Sequence, residues 1–579
     1  TEWIGSSDIF ASGLVEMHAM TVPLQMLASV VSLLSLCGLL TFLASLFLFA
    51  CFANTPYRVD RSLRALGRGR KQSSKTDLSN EDSTDSSTQK GTVCIIGAGI
   101  SGLYAAYKLR HHCEVVLLEG SAAPGGNNRS CPVASTEVPV QYGCSGWTTS
   151  PVLSQLVEEL GLHRQKCRQH VAALVEGCLE LKRFDAGFPS SSPHSKFRLF
   201  AWARAYSLYQ QCRFVLWWIW AHILYYCFPL QNWSASDILP YGNVGIDDVL
   251  IPQCGINVFI DRCDLAKCPY TYFLRYAALY LGKTFFCIKE GNHELIRRLH
   301  QELHSDCTFH FNSPVSKVTG EEGNFMVQLQ SGGELGPFHQ VVMACQPHLV
   351  AQMLPSHTDY NSHRECVSHF ETVVARSAVH SDPTHFQRAD DPQFELGVLY
   401  DRTLGDKQHH YLHINPAQFY NIADLPKHTF VTVSYDDADP KDVIASEHIA
   451  TSFKTTLSRV KADSQQQVSE LVGKLHKDAH GIHMASAAFL GLMWHEDGLT
   501  MAQLAYQACV INLQSQSKNL QVEVAKESNV QFAADASLCL EKPWGAQEDS
   551  PETTIDSIDS RSESDRESDD TLSSFHEIV

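Results

Sequence analysis

The segment from Thr92 to Glu119 constrains the fold more than any other part of this 579-residue chain. A short apolar run, TVCII, is followed by GAGISG, then by helix-forming residues, and then by a second apolar run, EVVLL. Short, unbroken apolar runs are typical of strands that are buried on both faces of a parallel sheet. Strand, glycine-rich turn, helix and strand within about 30 residues predict a βαβ unit, and therefore an α/β fold.

Three glycines and one acidic residue indicate which ligand this unit binds. Gly97 permits the tight turn, Gly99 lets the backbone approach a pyrophosphate, and Gly102 lets helix and strand pack closely. The helix N-terminus offers free N–H groups and a positive dipole end to phosphates. Glu119 lies 20 residues after Gly99, where a carboxylate accepts hydrogen bonds from an adenosine ribose and repels a 2′-phosphate. The predicted dinucleotide-binding residues of the turn are Gly97, Ala98, Gly99, Ile100, Ser101 and Gly102.

The residues after Glu119 resemble a known family. EGSAAPGGNNRS is similar to the segment of amine-oxidase-type flavoproteins in which a glycine pair and a nearby Arg pass along the FAD pyrophosphate. The resemblance implies FAD as the cofactor and assigns Gly125, Gly126 and Arg129 to it. The family more often has Arg or His directly after the glycine pair, whereas this chain has Asn127 there. The later segment VQYG carries Gln141 where the family usually has an acid.

A second element of the family pattern follows in mid-chain. Gly291 to Leu299 predicts a turn and a helix, Phe309 to Val318 a strand, FMVQLQSGG a strand with a turn, and Val341 to Ala344 a buried strand. By the resemblance, the backbone of Val315 would meet the adenine. Taken alone, the segment is equally compatible with an ordinary α/β hairpin unit.

The third element is WHEDGL, before a helix predicted over Thr500 to Leu513, with Asp497 as its cap. In the family this helix points its N-terminus at the flavin, which implies contacts from Asp497, Gly498 and Leu499. HEDGL and the mid-chain VHSD resemble the subgroup often encoded beside cyclopropane-fatty-acid synthases. Ala487 and Met501 stand where that subgroup has glycine or a small residue.

These segments predict an α/β protein with a Rossmann-type FAD-binding domain and an inserted α+β substrate domain, preceded by a single transmembrane helix. The predicted organisation follows the chain in this order: N-terminal extramembrane segment 1–25, transmembrane helix 26–53, basic then polar linker 54–91, first FAD-binding segment 92–150, first substrate-domain segment 151–290, second FAD-binding segment 291–350, second substrate-domain segment 351–480, third FAD-binding segment 481–515, and an acidic, largely disordered tail 516–579.

The membrane prediction rests on Met26 to Ala53, which contains no charged residue over 28 positions. About 20 apolar residues suffice to span a bilayer as a helix. Basic residues follow the segment, from Arg58 to Lys75, and are absent before it. The positive-inside rule then predicts a single-pass membrane protein with its catalytic domain on the cytosolic side.

A second apolar stretch, Phe214 to Phe228, is too short for an ordinary span. Two interpretations remain open: a membrane-interface surface at the entrance for a lipid substrate, and a buried aromatic helix of the substrate domain.

Charge and cysteine content exclude some functions. The formal net charge of -18 argues against a nucleic-acid partner, and half of it lies in the tail from Gln547, with eleven acids against two Arg. The nineteen cysteines show no CxxC pair, and buried free thiols explain Cys254, Cys263 and Cys268 better than zinc does. No metal site is predicted.

The resemblance implies an FAD-dependent oxidoreductase that transfers hydride from a C–H bond of a small-molecule substrate, a lipid or an amine, to the flavin. Two alternatives stay open: an amine oxidase that releases peroxide, and a non-catalytic FAD-binding protein that serves as a membrane interaction partner. No catalytic residue can be assigned, because capping and packing account for His495 and Glu496 as well as proximity to the flavin does.

Overall fold

The computed structural model describes residues 91–516 with internal gaps. The gaps are 133–138, 144–145, 148–149, 168–169, 176–177, 186–207, 228–230, 240–250, 252–263, 280–284, 389–396, 402–410, 421, 423–424, 427, 436–437, 477–478 and 492–493. The predicted transmembrane helix 26–53, its flanks and the acidic tail after residue 516 lie outside the described residues. Among the described helices, none combines the length and the apolar character needed to cross a bilayer.

The strands of the described residues are β1 Thr92–Ile96, β2 Glu114–Leu118, β3 Ser130–Cys131, β4 Val140–Gln141, β5 Arg164–Lys166, β6 His170–Val175, β7 Cys178–Asp185, β8 Phe286–Ile288, β9 Cys307–His310, β10 Val315–Glu321, β11 Asn324–Leu329, β12 Glu334–Phe338, β13 Gln340–Met343, β14 Phe370–His380, β15 Val398–Asp401, β16 Tyr411–Ile414, β17 Phe430–Tyr435, β18 Ile449–Val460 and β19 Ile482–Met484. The helices are α1 Ile100–Leu109, α2 Pro151–Glu159, α3 Leu208–Cys227, α4 Ala235–Ile238, α5 Tyr270–Leu279, α6 Asn292–Leu303, α7 Pro347–Met353, α8 Asn361–Ser368, α9 Thr384–Arg388, α10 Pro416–Phe419, α11 Gln465–Leu475 and α12 His495–Gln516.

The first sheet has five strands in the order β19-β13-β1-β2-β9, and every neighbouring pair is parallel. β1 and β2 confirm the two strands predicted from the apolar runs. The five strands come from three separate stretches of the chain, which lie within 92–150, 291–350 and 481–515. Side chains of α1, α6 and α12 pack with the sheet in one apolar core, which is the arrangement expected of a parallel sheet covered by helices.

The second large sheet has seven strands in the order β18-β14-β17-β16-β15-β6-β7. Its neighbours are antiparallel except for β15 and β6. Val379 and Val431 of this sheet pack against Val140 of β4, so that one face of the sheet lies on the cofactor-binding side of the molecule. Both faces of the central strands are buried, which fits an α+β domain inserted between the segments of the first sheet.

The sequence predicted a single strand from Phe309 to Val318, and this prediction is wrong because the segment forms two strands. The segment is divided into β9, which joins the parallel sheet beside β2, and β10, which joins a three-stranded antiparallel sheet with β11 and β12. Asn312 adopts a positive φ of 52°, and Pro314 has no N–H for a ladder bond. These two residues break the strand and send the chain from one sheet to the next.

Of the apolar stretch Phe214 to Phe228, the residues up to Cys227 lie in α3. One face of this helix is buried, as expected for an aromatic helix of the substrate domain. Phe214, Trp217, Ala221 and Leu224 are buried in a core shared with α5. The other face leaves three large apolar side chains exposed to solvent: Leu216, Ile219 and Trp220.

Three buried histidines lie close together where α8, α11 and β19 meet. Burial lowers the pKa of His363 to about 4, of His476 to about 4, and of His483 to about 3. Each imidazole is therefore neutral in the folded protein at pH 7, although a histidine in an unfolded chain titrates near pH 6.5. His363 Nε2 donates to the carbonyl of Ile482, and His483 Nε2 lies 2.7 Å from Gln340 Oε1.

This cluster predicts a loss of stability in mild acid. The pKa values of these histidines are lower in the folded protein than in the unfolded chain, so the unfolded chain binds more protons below pH 6.5. Their contribution to the free energy of unfolding is therefore lost as the pH falls toward 4. Denaturant unfolding at pH 7 and pH 5 should show a smaller free energy at pH 5. His476→Gln should reduce that difference by roughly 2 kcal/mol, the share of one buried histidine. An unchanged pH dependence in the variant would contradict the prediction.

Candidate cofactor and active site

The turn after β1 brings the backbone of α1 very close to the strand. Gly97 has a φ of 108°, and its N–H donates to the carbonyl of Leu118 at 2.8 Å. A Cβ at Gly102 would lie only 1.8 Å from the Gly97 carbonyl oxygen. The predicted roles of these two glycines, a tight turn and close helix packing, are therefore matched by the geometry.

The glycine pair predicted downstream lies against the same turn. The N–H of Gly125 donates to the carbonyl of Ala98 at 2.9 Å. A Cβ at Gly126, which has a φ of 56°, would lie 3.1 Å from Gly99 Cα. Backbone without side chains thus forms a cradle beside the N-terminus of α1, and no side chain caps that helix at Gly99. Such a cradle suits a pyrophosphate, which binds to free N–H groups at the start of a helix.

Glu119 lies at the carboxyl end of β2, on the same edge of the sheet. Its Oε2 accepts the N–H of Ala98 at 2.8 Å, and its Oε1 accepts the N–H of Ser121 at 2.8 Å. These two bonds fix the carboxylate and leave further lone pairs on both oxygens for ribose hydroxyls. Val315, the predicted adenine contact, begins β10 two residues after Ser313, whose N–H donates to the Glu119 carbonyl at 2.8 Å.

Arg129 follows the glycine pair by three positions in the sequence. Its guanidinium carbon is 5.2 Å from the centre of the Phe453 ring. Its Nε is buried and has no hydrogen-bond partner within the described part of the chain. A buried guanidinium N–H without a partner is costly, and a phosphate oxygen or another acceptor on a cofactor would satisfy it. The site therefore fits the dinucleotide part of FAD.

The last helix begins earlier than predicted. α12 starts at His495 rather than Thr500, and the N–H of Gly498 bonds to the carbonyl of Trp494 at 3.0 Å. Glu496 and Asp497 then fall in the first turn, where negative charge stabilises a helix N-terminus. A Cβ at Gly498 would lie 2.7 Å from Ser101 Oγ, so this glycine lets the first turns of α12 and α1 touch.

Asp497 is not the predicted helix cap. It is 1% exposed and forms an ion pair with Arg275 of α5, whose side chain is 21% exposed. The second guanidinium nitrogen of Arg275 donates to the carbonyl of Leu490 at 2.7 Å. Leu499, also a predicted cofactor contact, has its side chain in the core of the parallel sheet, so only its backbone can face a ligand.

His495 connects the last helix to the loop after the glycine pair. Its Nε2 lies 2.8 Å from Asn128 Oδ1. Burial lowers the pKa of His495 to about 4, so the ring is neutral at pH 7. A neutral, buried and hydrogen-bonded imidazole suits a positioning residue that holds α12 against the cofactor loop.

Sequence reasoning missed Arg275, which lies 222 positions before Asp497. No local pattern marks it, because its partner is brought near only by the packing of α5 beside α12. It also missed a second polar cluster, formed by His385, Asp401 and His413. The short strands VLYD and YLHI carry one ionisable residue each and give no local signal of that cluster.

The cradle predicts that two neighbouring glycines have different roles. Gly99→Ala should leave the fold intact, since its Cβ would come no nearer than 3.9 Å to Gly126 Cα. It should weaken FAD binding roughly 10-fold or more, because the methyl group obstructs the close approach of the pyrophosphate. Titration of the apoprotein with FAD, followed by flavin fluorescence, measures the change.

Gly102→Ala provides the matched control. The same methyl group there would meet the Gly97 carbonyl, so circular dichroism should show a misfolded protein with or without FAD. Wild-type affinity in Gly99→Ala would contradict a pyrophosphate at this turn.

The ion pair between Arg275 and Asp497 predicts how substitutions of these two residues change the free energy of unfolding. Arg275→Leu leaves the buried Asp497 carboxylate without its partner and should cost roughly 3 kcal/mol of unfolding free energy. Asp497→Asn in the same chain should recover part of that loss, because an amide is cheaper to bury than a carboxylate. Urea unfolding of wild type, both single variants and the double variant tests this, and strictly additive losses would refute the coupling.

Comparisons with known proteins agree with this geometry. The family model described as flavin containing amine oxidoreductase matches residues 100–537. A hydroxyneurosporene desaturase of Cereibacter sphaeroides is 39% identical over 88 residues, which are 15% of this chain and 17% of that protein. The chain thus spans only a small part of the length of this curated relative.

Solved structures of similar fold cover most of the chain. A putrescine oxidase has a TM-score of 0.51 and 14% identity, over 73% of this chain and 99% of its own. A putative protoporphyrinogen oxidase from Exiguobacterium sp. 255-15 has a TM-score of 0.53 and 13% identity, over 73% and 99%. A CLA-producing fatty acid isomerase from P. acnes has a TM-score of 0.52 and 13% identity, over 72% and 98%. Identities this low show a shared fold.

The family match, the cradle at Gly99 and Gly126 and the fixed Glu119 carboxylate lead to one conclusion. The chain belongs to the flavin-containing amine oxidoreductase family and is an FAD-dependent oxidoreductase.

Proposed function

We propose that this oxidoreductase acts on a C–H bond of a lipid acyl chain, taken from the surface of a membrane. FAD supplies the hydride acceptor for such a reaction and is then reoxidised by oxygen or another electron acceptor. The observation that carries the proposal is the exposed apolar face of α3, where Leu216 is 52% and Trp220 is 44% exposed.

This face has the composition of a surface that contacts lipid. Leu216, Ile219 and Trp220 lie within five positions on one helix, and no Asp, Glu, Lys or Arg interrupts Phe214 to Cys227. Trp is enriched where proteins meet the headgroup region, and an apolar helix face lies in that plane. The apolar segment 26–53, predicted from the sequence to span a membrane, would keep the enzyme beside such a surface.

The opposite face of α3 leads by direct contacts to the start of α12. Trp218 Nε1 donates to the carbonyl of Ala277 in α5 at 3.3 Å. α5 carries Arg275, which holds Asp497 in the first turn of α12. Trp494, immediately before α12, belongs to the same apolar core as α3 and α5. The exposed helix therefore shares a core with the helix whose N-terminus, by family resemblance, faces the flavin.

The interior beside Gln141 is also largely apolar. A small cavity there is lined by Gln141 together with side chains that include Val140, Ile288 and Leu425. These surroundings suit apolar groups better than charged ones. The names of two similar proteins, a desaturase and a fatty acid isomerase, describe reactions that break C–H bonds.

Bound FAD would supply the hydride acceptor for the acyl C–H bond. A desaturation would also release a proton from the neighbouring carbon and pass two electrons to oxygen or another acceptor, whereas an isomerisation would return the hydride to a different carbon and consume no external oxidant. In either case the chain supplies position: the cradle holds the dinucleotide, and His495 with Asp497 fixes the start of α12.

The test exposes the full-length flavoprotein, without oxygen, to vesicles that contain unsaturated fatty acids and, separately, to polyamines. We expect vesicles to bleach the visible flavin absorption, or to yield a fatty acid with a shifted double bond by mass spectrometry. Bleaching by polyamines alone would instead establish an amine oxidase. A protein that binds FAD but responds to neither would overturn the lipid proposal.

Variants of the exposed face test the route of the substrate. Leu216→Glu, Ile219→Glu and Trp220→Glu together should abolish sedimentation with vesicles and slow lipid turnover, with FAD content unchanged. Leu349→Glu, at an exposed apolar position on α7, is the matched control and should behave as wild type. Undiminished turnover of vesicle-bound lipid in the triple variant would show that α3 is not the contact.

A further inference from the structure

A second cluster of reactive side chains lies on the far face of the seven-stranded sheet. Side chains alternate between the two faces of a strand, and Ile414 and Val431 pack with Val140 toward the cofactor-binding side. Their neighbours His413 and Thr432 therefore point to the opposite face. Asp401 lies on that face too, because Leu399 pairs with His413 and Asp401 follows two positions later. α9 covers them with His385.

Three ligand atoms converge in this layer. His385 Nδ1 lies 3.4 Å from Asp401 Oδ2, and His413 Nε2 lies 4.0 Å from the same oxygen. All three atoms lie within 4.8 Å of one another. Asp401 and His413 are fully buried, and the His385 side chain is 4% exposed.

The hydrogen bond of His385 shows which of its ring nitrogens is available to a metal ion. Its Nε2 lies 3.2 Å from the carbonyl oxygen of Val443, which can only accept, so Nε2 carries a hydrogen. Nδ1 is the nitrogen that faces Asp401, and in a metal site it would direct its lone pair at the ion.

The spacing of the three ligand atoms is compatible with a metal ion. Ligand atoms on a tetrahedral Zn²⁺, each about 2.0–2.1 Å from the ion, lie about 3.3 Å apart. The 3.4 Å between His385 Nδ1 and Asp401 Oδ2 is close to this value. His413 Nε2 lies 4.0 Å from the same oxygen, and the three atoms lie within 4.8 Å of one another, so binding requires the site to contract around the ion.

The outer hydrogen bonds are those that ligating histidines require. The nitrogen of each ring that faces away from the site is held: His385 Nε2 by Val443, and His413 Nδ1 by Thr432 Oγ1 at 2.7 Å. Such contacts fix the orientation of a metal-binding imidazole. The two rings stack at 4.0 Å between centroids and 13° between planes, so binding requires them to tilt toward a common point.

We propose that His385, Asp401 and His413 bind one Zn²⁺ ion, which fastens α9 to β15 and β16 on the face of the sheet opposite the cofactor. Two imidazoles and one carboxylate are a ligand set that suits zinc. The proposal is independent of the substrate of the flavin reaction.

The test measures metal in the full-length holoprotein. After Zn²⁺ loading and dialysis, mass spectrometry should find about one Zn²⁺ per chain. His385→Gln and His413→Gln should weaken Zn²⁺ binding roughly 100-fold, with FAD content retained. His483→Gln, which alters a buried histidine in the other sheet, is the matched control and should keep the metal. Chelation should lower the melting temperature of wild type, and Zn²⁺ should restore it.

A measurement on wild type alone guards against variants that fail to fold. Co²⁺ in place of Zn²⁺ should give the intense visible absorption of a tetrahedral site with nitrogen and oxygen ligands. Less than about a tenth of an equivalent of bound metal in wild type, or wild-type affinity in folded ligand variants, would overturn the proposal.

Discussion

The contact between Gly102 and the carbonyl of Gly97 is the constraint on which the cofactor site depends. It leaves no room for a side chain, and it fixes the distance between β1 and the first turn of α1. With that turn fixed, Gly126 can approach Gly99, and Gly498 can bring α12 onto Ser101. The free N–H groups of α1, the glycine pair and the last helix therefore lie close together, because five glycines (Gly97, Gly99, Gly102, Gly126 and Gly498) carry no side chains there.

Segments of the two large sheets alternate along the chain, and contacts between these segments affect stability. The parallel sheet is complete only with β19, which pairs with β13 and comes from the last segment of the described chain, far from β1 and β2 in the sequence. The buried ion pair of Arg275 and Asp497 joins the inserted domain to the same final segment. A buried carboxylate is costly without its partner, so the packing of α5 against α12 stabilises the start of the last helix. The inserted domain thereby helps to position the helix that completes the cofactor site.

The seven-stranded sheet separates two different environments. Toward the cofactor-binding side it presents Val379, Val431 and Ile414, an apolar surface beside β4. On the other face, burial together with the neighbouring imidazole of His385 lowers the pKa of His380 to about 4. His380 Nε2 and His413 Nδ1 both reach Thr432 Oγ1, so this polar layer is a connected network rather than isolated residues. Buried polar groups are retained only when they are satisfied, and the network meets that condition through backbone carbonyls, a hydroxyl and the proposed ion.

The sequence determined the βαβ unit, its glycines and Glu119, because strand, turn and helix there follow from local residue preferences and from contacts within about 30 residues. It also indicated the three separated segments of the FAD-binding domain and, through the resemblance, the cofactor. It placed the start of α12 five residues late and extended one strand across Asn312 and Pro314, because helix and strand ends depend on contacts that a local pattern does not contain. The partner of Asp497, the two faces of α3, and the meeting of His385 with Asp401 and His413 were decided only by the tertiary structure. Each of these contacts joins residues from different helices or strands. The distances between such residues are set by long-range packing, which leaves no pattern in the local sequence.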